Sequence, residues 1–157
     1  MIRFIDIFFS TVVLLAALPF LAILAIINLL GKDAFLFHQK RVGKFQQPFK
    51  LVKLRTMSTE TPSVATHLAK ADEITPYGSF LRRTKLDEIP QMWNVLKGEM
   101  SLVGPRPCLF NQKELIKERA KRGVFDVLPG ITGLAQINEI DMSTPNLLAE
   151  TDARMLV

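Results

Sequence analysis

From Ile7 to Leu30 the chain carries no charged residue, and its only polar positions there are Ser10, Thr11 and Asn28. As one continuous helix these 24 residues would measure about 36 Å, against a hydrocarbon core of roughly 30 Å. Pro19 lies at the midpoint, where it removes one helical hydrogen bond and crowds the preceding turn. Each arm, about 11 or 12 residues long, is too short to span alone. Lys32, Lys40, Arg41, Lys44, Lys50, Lys53 and Arg55 follow the run and only Arg3 precedes it, which puts the remainder on the cytoplasmic side. From the residues alone two forms stay open. Length favours a single span, and Pro19 favours a kinked helix that returns to the same face. A soluble core helix fits poorly because the run is too long for a small core to cover. A signal peptide fits poorly because no small-residue cleavage site follows.

Beyond the apolar head the period changes. Phe35–Val42 and Pro48–Arg55 are short β-capable runs joined by Gly43-Lys44-Phe45-Gln46-Gln47, which predicts a hairpin. Lys53 and Arg55 then share one face of the second strand and Leu54 takes the other. Residues 58–72, rich in Ser, Thr and Ala, predict a mobile loop. Thr75-Pro76 opens a short helix over Tyr77–Arg83. In the next helix Ile89, Met92, Trp93 and Leu96 form an apolar stripe, and Gly98 stops it. Pro90 must lie in its first turn, so the helix begins near Leu86, with Asp87 at or beside the N-cap and Glu88 in the first turn. Asn111–Arg122 reads as a charged helix whose Lys113, Lys117, Lys121 and Arg122 face solvent or lipid. Pro129-Gly130-Ile131-Thr132-Gly133 reads as a turn-rich loop before Leu134–Ile137. The expected fold class is α+β, mostly α. A membrane head over 1–31 precedes a small helical body with one β-hairpin over 32–157, resting on the membrane.

Composition narrows the chemistry. The chain has 157 residues, a one-domain length, with no repeat and no low-complexity tract. Its net charge of +5 suits nucleic acid, anionic lipid or phosphorylated substrates. Nucleic acid explains neither the membrane segment nor the lack of a recognition helix or aromatic-stacking pattern. The single cysteine, Cys108, excludes an intrachain disulfide and a cysteine-rich zinc site, in keeping with a cytoplasmic body, and reads as a small apolar residue. His38 and His67 have no metal-ligand spacing.

Asp87 and Glu88, placed at a helix start, sit where orphan amides and the macrodipole favour negative charge. That setting keeps a nucleophilic carboxylate ionised and also attracts phosphate. Two carboxylates and a phosphate repel one another, which makes Mg²⁺ their natural companion. Alone, such a pair is more often a simple cap. Lys53, Arg55, Arg82 and Arg106 are candidate phosphate clamps, although each taken singly is more often solvated or lipid-facing.

The run from Lys85-Leu86-Asp87-Glu88-Ile89-Pro90-Gln91-Met92-Trp93-Asn94 through Gly98 to Gly104-Pro105-Arg106-Pro107 resembles the signature of the bacterial sugar transferase family, the monotopic phosphoglycosyl transferases. The likeness extends to Gln39-Lys40-Arg41-Val42-Gly43, to Lys53-Leu54-Arg55-Thr56-Met57 and to Pro129 through Asn138. It implies a re-entrant membrane helix broken at a proline over 1–31, with a cytoplasmic catalytic domain on the bacterial inner membrane. It implies transfer of a sugar 1-phosphate from a UDP-sugar to polyprenyl (undecaprenyl) phosphate, releasing UMP through a covalent aspartyl intermediate and initiating glycoconjugate assembly. Asp87 matches the nucleophile and Glu88 its partner, both as metal ligands, with Mg²⁺ as cofactor. Lys53, Arg82 and Arg106 match basic site residues, and Gln136 falls in the matching substrate-binding run. Membrane lipid is a further partner, and a homo-oligomer is left open.

This sequence departs from the family at three points. Leu18 stands where Ser often precedes the helix-breaking Pro, and Glu139-Ile140 stands where many members have Gly-Arg. Relatives usually continue beyond the position of Val157, which marks a short or truncated form. The alternative reading is a non-catalytic, membrane-anchored basic scaffold that binds anionic lipid or a partner protein. It accounts for the head and the charge but not for Asp87 and Glu88 beside so many phosphate-type donors.

Overall fold

A computed structural model describes residues 2–30, 35–57 and 74–156, the side chains of 27–30 excepted. The loop expected over 58–72 lies outside the described residues. Helix α1, Ile2–Leu30, extends upstream of the uncharged run to take in Arg3 and Asp6, and it contains Pro19. Its stretch Ile2–Ile26 is long and apolar enough to cross a membrane. The buried positions Asp6, Ser10, Ala17 and Leu24 repeat at helical spacing along one side. Phe4, Phe8, Leu15, Leu18, Ile23 and Ile26 stand exposed elsewhere on the helix, an apolar surface suited to lipid rather than water.

The first turn of α1 is fastened to the body. Arg3 donates from Nη1 to the Val95 carbonyl at 2.5 Å and from Nη2 to the Leu96 carbonyl at 2.8 Å. Asp6 accepts from the Leu102 amide at 3.0 Å and from Ser101 Oγ at 2.9 Å. Farther along, Leu24 packs with Leu54 and Leu81, with Phe20 and Leu21 at its margin.

The expected hairpin is present. Strands β1 (Leu36–Val42) and β2 (Pro48–Leu54) pair antiparallel, from Leu36 opposite Leu54 to Val42 opposite Pro48. Leu54 is buried while Lys53 lies on the other face, as alternation requires. Strand β2 ends at Leu54, one residue before the expected limit, so Arg55 lies just beyond it. Helix α2 (Pro76–Thr84) is capped by Thr75, whose Oγ1 accepts from the Gly78 amide at 2.9 Å.

Helix α3 corrects two expectations. It runs Gln91–Lys97, with Pro90 at its N-cap, and Leu86–Glu88 forms a separate 3₁₀ turn entered through Lys85 at φ 59°. Pro90 supplies no amide for a continuous helix through this point, so the two carboxylates lie before the helix rather than in its first turn. The apolar stripe is also not the buried face. Trp93 is 55% exposed, whereas Gln91, Asn94 and Val95 are buried. Asn94 explains the rotation: it accepts from the Val52 amide at 3.1 Å and donates to the Lys50 carbonyl at 2.8 Å. These bonds turn Asn94 onto β2 and leave Trp93 exposed, with Ile89, Met92 and Leu96 half-buried. Gly98 at φ 81° ends the helix as expected.

The segment expected to be a loop at Pro129–Gly133 contains a strand. β3 (Ser101–Val103) and β4 (Gly130–Thr132) pair in parallel, Ser101 opposite Gly130 and Val103 opposite Thr132. The sheet content is therefore a hairpin plus this second pair. A Cβ on Gly130 would stand 2.1 Å from the Gly104 nitrogen, so side chains are excluded where the backbones cross. Helix α4 (Lys113–Lys121), the four-residue α5 (Leu134–Ile137) and α6 (Pro145–Ala153) complete the body. Its core comprises Val42, Cys108, Leu115, Phe125, Ala135, Leu148 and Ala149. Helix α4 is not wholly basic surface: Arg119 is 2% exposed and pairs with Asp152, 1% exposed, at 2.6 Å.

Candidate active site

Four chain segments meet around an open cleft of about 700 Å³. The end of β2 supplies Lys53, and α2 with the turn after it supplies Arg82, Lys85, Asp87 and Glu88. The Pro105–Pro107 strap supplies Arg106, while β4 and α5 supply Thr132 and Gln136. Ile89 and Met92 line the wall beside the carboxylates, and Glu139 and Asp141 line it beyond α5. Six of the seven expected site residues therefore share one cleft. Arg55 does not line it; its guanidinium lies 5.5 Å from the centre of the Phe37 ring.

The two carboxylates differ in their partners. Glu88 is forked by Arg106, with Nη1 to Oε2 at 3.3 Å and a closer contact between Nη2 and Oε1. Arg106 Nη1 also donates to the Ile131 carbonyl at 3.3 Å. Asp87 is 6% exposed, and its buried Oδ1 has no hydrogen-bond partner among the described residues. Burial, and then the charge of Glu88, push the Asp87 carboxyl above the usual aspartate range, while Lys53, Arg82 and Lys85 pull the other way. The expectation that a helix terminus would hold Asp87 ionised is thus replaced. Ahead of the helix, burial is the largest influence and the neighbouring cations resist it.

The cations differ in what surrounds them. Arg82 Nε donates to Thr56 Oγ1 at 2.8 Å. Gly78 lets α2 lie against that segment, because a Cβ there would be 2.0 Å from the Thr56 carbonyl oxygen. Burial lowers Lys53 to about 8, with Arg41 the next contributor, while Asp87 partly offsets them. Gln136 donates from Nε2 to the Ile131 carbonyl at 2.8 Å, leaving its buried Oε1 without a partner among the described residues.

Sequence reasoning passed over several residues. Lys85 lies within the signature run and carries charge, which was signal enough. Glu139, noted in sequence only as a departure from Gly, adopts φ 55° there, a backbone region glycine enters without strain. Arg41 and Arg119, buried behind the cleft, look in sequence like any other surface arginine.

No group of three or more His, Cys, Asp or Glu is poised for a metal among the described residues. Mg²⁺, however, commonly takes one or two carboxylates and completes its shell with water and substrate phosphates. The unpartnered Asp87 Oδ1, with Glu88 adjacent, fits that mode.

The family model described as bacterial sugar transferase matches residues 1–155. The chain is 41% identical over 138 residues to the UDP-glucose:undecaprenyl-phosphate glucose-1-phosphate transferase of Escherichia coli strain K12, covering 85% of this chain and 30% of that protein. A protein of the same name from Caulobacter vibrioides is 43% identical over 130 residues, covering 79% of this chain and 48% of that one. An uncharacterized sugar transferase of Bacillus subtilis is 44% identical over 116 residues, 73% of this chain and 56% of its own length. The chain thus spans about half, or less, of the length of these relatives.

Proposed function

Because this chain belongs to the bacterial sugar transferase family, we propose that it is an enzyme that moves a sugar 1-phosphate from a UDP-sugar to polyprenyl phosphate, releasing UMP. The observation that carries the reading is Asp87: a buried carboxylate with an unpartnered oxygen, in a cleft ringed by Lys53, Arg82, Lys85 and Arg106. A scaffold that only bound anionic lipid would have no use for a desolvated carboxylate among its cations, since burying it costs free energy.

In the first step an Asp87 oxygen attacks the β-phosphorus of the UDP-sugar. The bond from that phosphorus to the bridging oxygen breaks, and the electron pair leaves on UMP. Arg106, Arg82 and Lys53 hold the diphosphate oxygens and offset the charge the attack brings together. In the second step a phosphate oxygen of the acceptor attacks the same phosphorus. The Asp87 carboxylate departs, giving a polyprenyl diphosphate sugar. Asp87 and Glu88 would hold Mg²⁺, which, when bound, neutralises charge on the diphosphate. Two steps suit substrates that arrive from different phases, one from water and one from lipid. The stripe of α3 begins in the cleft wall at Ile89 and Met92 and continues to Trp93, an apolar route for the acceptor chain.

The same reading covers the membrane. A spanning helix carries one of its ends away from the cytoplasmic body, whereas α1 touches this body through Arg3 and Asp6 in its first turn and again through Leu24. We therefore read α1 as re-entrant, entering and leaving on the cytoplasmic face near Pro19. The chemistry is tested with labelled UDP-sugars and no acceptor: the parent forms a labelled protein adduct with stoichiometric UMP, and Asp87→Asn forms none. UMP release by Asp87→Asn at the parental rate would overturn the assignment.

A further inference from the structure

Arg106 lies on a strap in which both flanking residues are prolines and have no amide to donate. Four successive carbonyls of this strap are nevertheless all engaged. Pro105 accepts from the Gly130 amide at 3.0 Å and Cys108 from the Val42 amide at 3.0 Å. Between them, Arg119 Nη1 donates to the Arg106 carbonyl at 2.8 Å, and Arg41 Nη1 donates to the Pro107 carbonyl at 3.1 Å. Two backbone amides and two buried arginines thus grip one short segment from three elements, β1, α4 and β4.

Neither arginine is explained by folding stability alone. Arg41 is 9% exposed, its Nε is buried without a partner, and no carboxylate lies within ion-pair reach among the described residues. Its other contact is Nη2 to Gln39 Oε1 at 2.6 Å. Arg119 is aimed by Asp152, whose Oδ2 accepts from Nε at 2.9 Å and from Nη2 at 2.6 Å, leaving Nη1 for the strap. Burying such groups costs free energy that well-packed apolar side chains would avoid. Neither residue lines the cleft.

We propose that Arg41 and the Arg119–Asp152 pair are positioning residues for Arg106: by fixing the carbonyls on and after it, they hold its guanidinium fork on Glu88 and toward the substrate diphosphate. The catalytic part of this inference rests on the proposed sugar-phosphate transfer; the mechanical part does not. A fork that meets two oxygens at once tolerates little displacement. Misplacement on the order of an ångström costs roughly 100-fold in rate. A strap without proline amides has few other means of staying put.

The test uses the full chain in detergent and two measurements. In the first, hydrogen–deuterium exchange is followed over residues 102–109 in the parent, Arg119→Lys, Asp152→Asn and Arg41→Lys. The expected result is exchange at the hydrogen-bonded Gly104 and Leu109 amides about tenfold faster in each variant, with α2 unchanged. In the second, UMP release is measured for Arg119→Lys, Arg106→Lys and the double variant. Arg119→Lys lowers kcat by about 10- to 100-fold with little change in KM, and by less than about twofold once Arg106 is already Lys. Arg41→Lys, which keeps the charge, serves as the second variant if Arg119→Lys fails to fold. Equal losses of kcat in the parental and Arg106→Lys backgrounds would show a general structural role and overturn the proposal. Parental exchange across the strap would do the same. If the parent released no UMP from any UDP-sugar, the functional reading would fail, and the exchange measurement would still decide whether the arginines hold the strap.

Discussion

The fastening of α1 can be undone at two side chains. Asp6 is 3% exposed and receives the Ser101 hydroxyl and the Leu102 amide, while Arg3 covers two carbonyls at the C-terminal end of α3. Hydrogen bonds to charged groups contribute about 1.5–3 kcal/mol each. Two such bonds per residue set a gross loss of about 3–6 kcal/mol on replacing either with Leu. Relief of the buried charge returns part of this, leaving about 2–3 kcal/mol per site. With 1.4 kcal/mol per factor of ten, the double variant favours release of the N-terminus by roughly three orders of magnitude. The assay places a cysteine at Ile2, which is 73% exposed, in a Cys108→Ala background. A membrane-impermeant maleimide is then applied to intact cells and to permeabilised ones. The fastened chain labels only after permeabilisation. Asp6→Leu alone, which leaves the Arg3 charge in place, gives a measurable fraction labelled from outside, and Arg3→Leu with Asp6→Leu gives more. Ready labelling of the fastened chain in intact cells would show a true crossing and refute the re-entrant reading. Unchanged labelling in the double variant would show that these contacts do not hold the terminus.

Two further outcomes follow from the site and its scaffold. Lys53, lowered to about 8, is a cation below that pH and loses its proton above it. The kcat/KM for the UDP-sugar therefore falls as pH rises through about 8, and Lys53→Arg removes the break; a flat parental profile from pH 7 to 9.5 would refute a phosphate-binding Lys53. At the strand crossing, Gly130→Ala would bring a Cβ to 2.1 Å from the Gly104 nitrogen. It should destabilise the fold by about 1–3 kcal/mol, lower the unfolding midpoint and weaken UMP release together, whereas an unchanged midpoint would show that the crossing relaxes freely.

Local patterns were legible where local physics decides. Thr75-Pro76 opened α2, Gly98 closed α3, and alternation through Lys53–Arg55 put Lys53 on the face opposite the buried Leu54. What escaped depended on partners distant in sequence. The stripe of α3 has the spacing of a core face, yet Asn94 reaches Lys50 and Val52 and leaves Trp93 exposed, and periodicity cannot say whether an apolar face meets a core or lipid. Gly130 and Gly133 read as turn punctuation because their close approach to Gly104 spans residues far apart in the chain. Arg119 could not be told from its basic neighbours in α4 until Asp152 was brought beside it. The signature run located the cleft; the residues that brace the cleft from behind lie largely outside that run.

The division of labour between the two carboxylates also has a geometric side. A nucleophile needs an oxygen whose charge is directed at the incoming phosphorus, and a carboxylate whose two oxygens are both hydrogen-bonded to a guanidinium is the weaker nucleophile, although each oxygen keeps a lone pair for a cation. Glu88 is so gripped by Arg106, whereas Asp87 Oδ1 is bare. Burial that removes water from Asp87 raises its proton affinity, and with it the intrinsic reactivity of the ionised form. Lys53, Arg82 and Lys85 limit that rise, so negative charge on Asp87 is opposed by burial and sustained by the neighbouring cations. Exchanging the two residues, Asp87→Glu with Glu88→Asp, would conserve charge and composition while moving the bare oxygen. On this geometry the exchange abolishes adduct formation even though every charge in the cleft is retained.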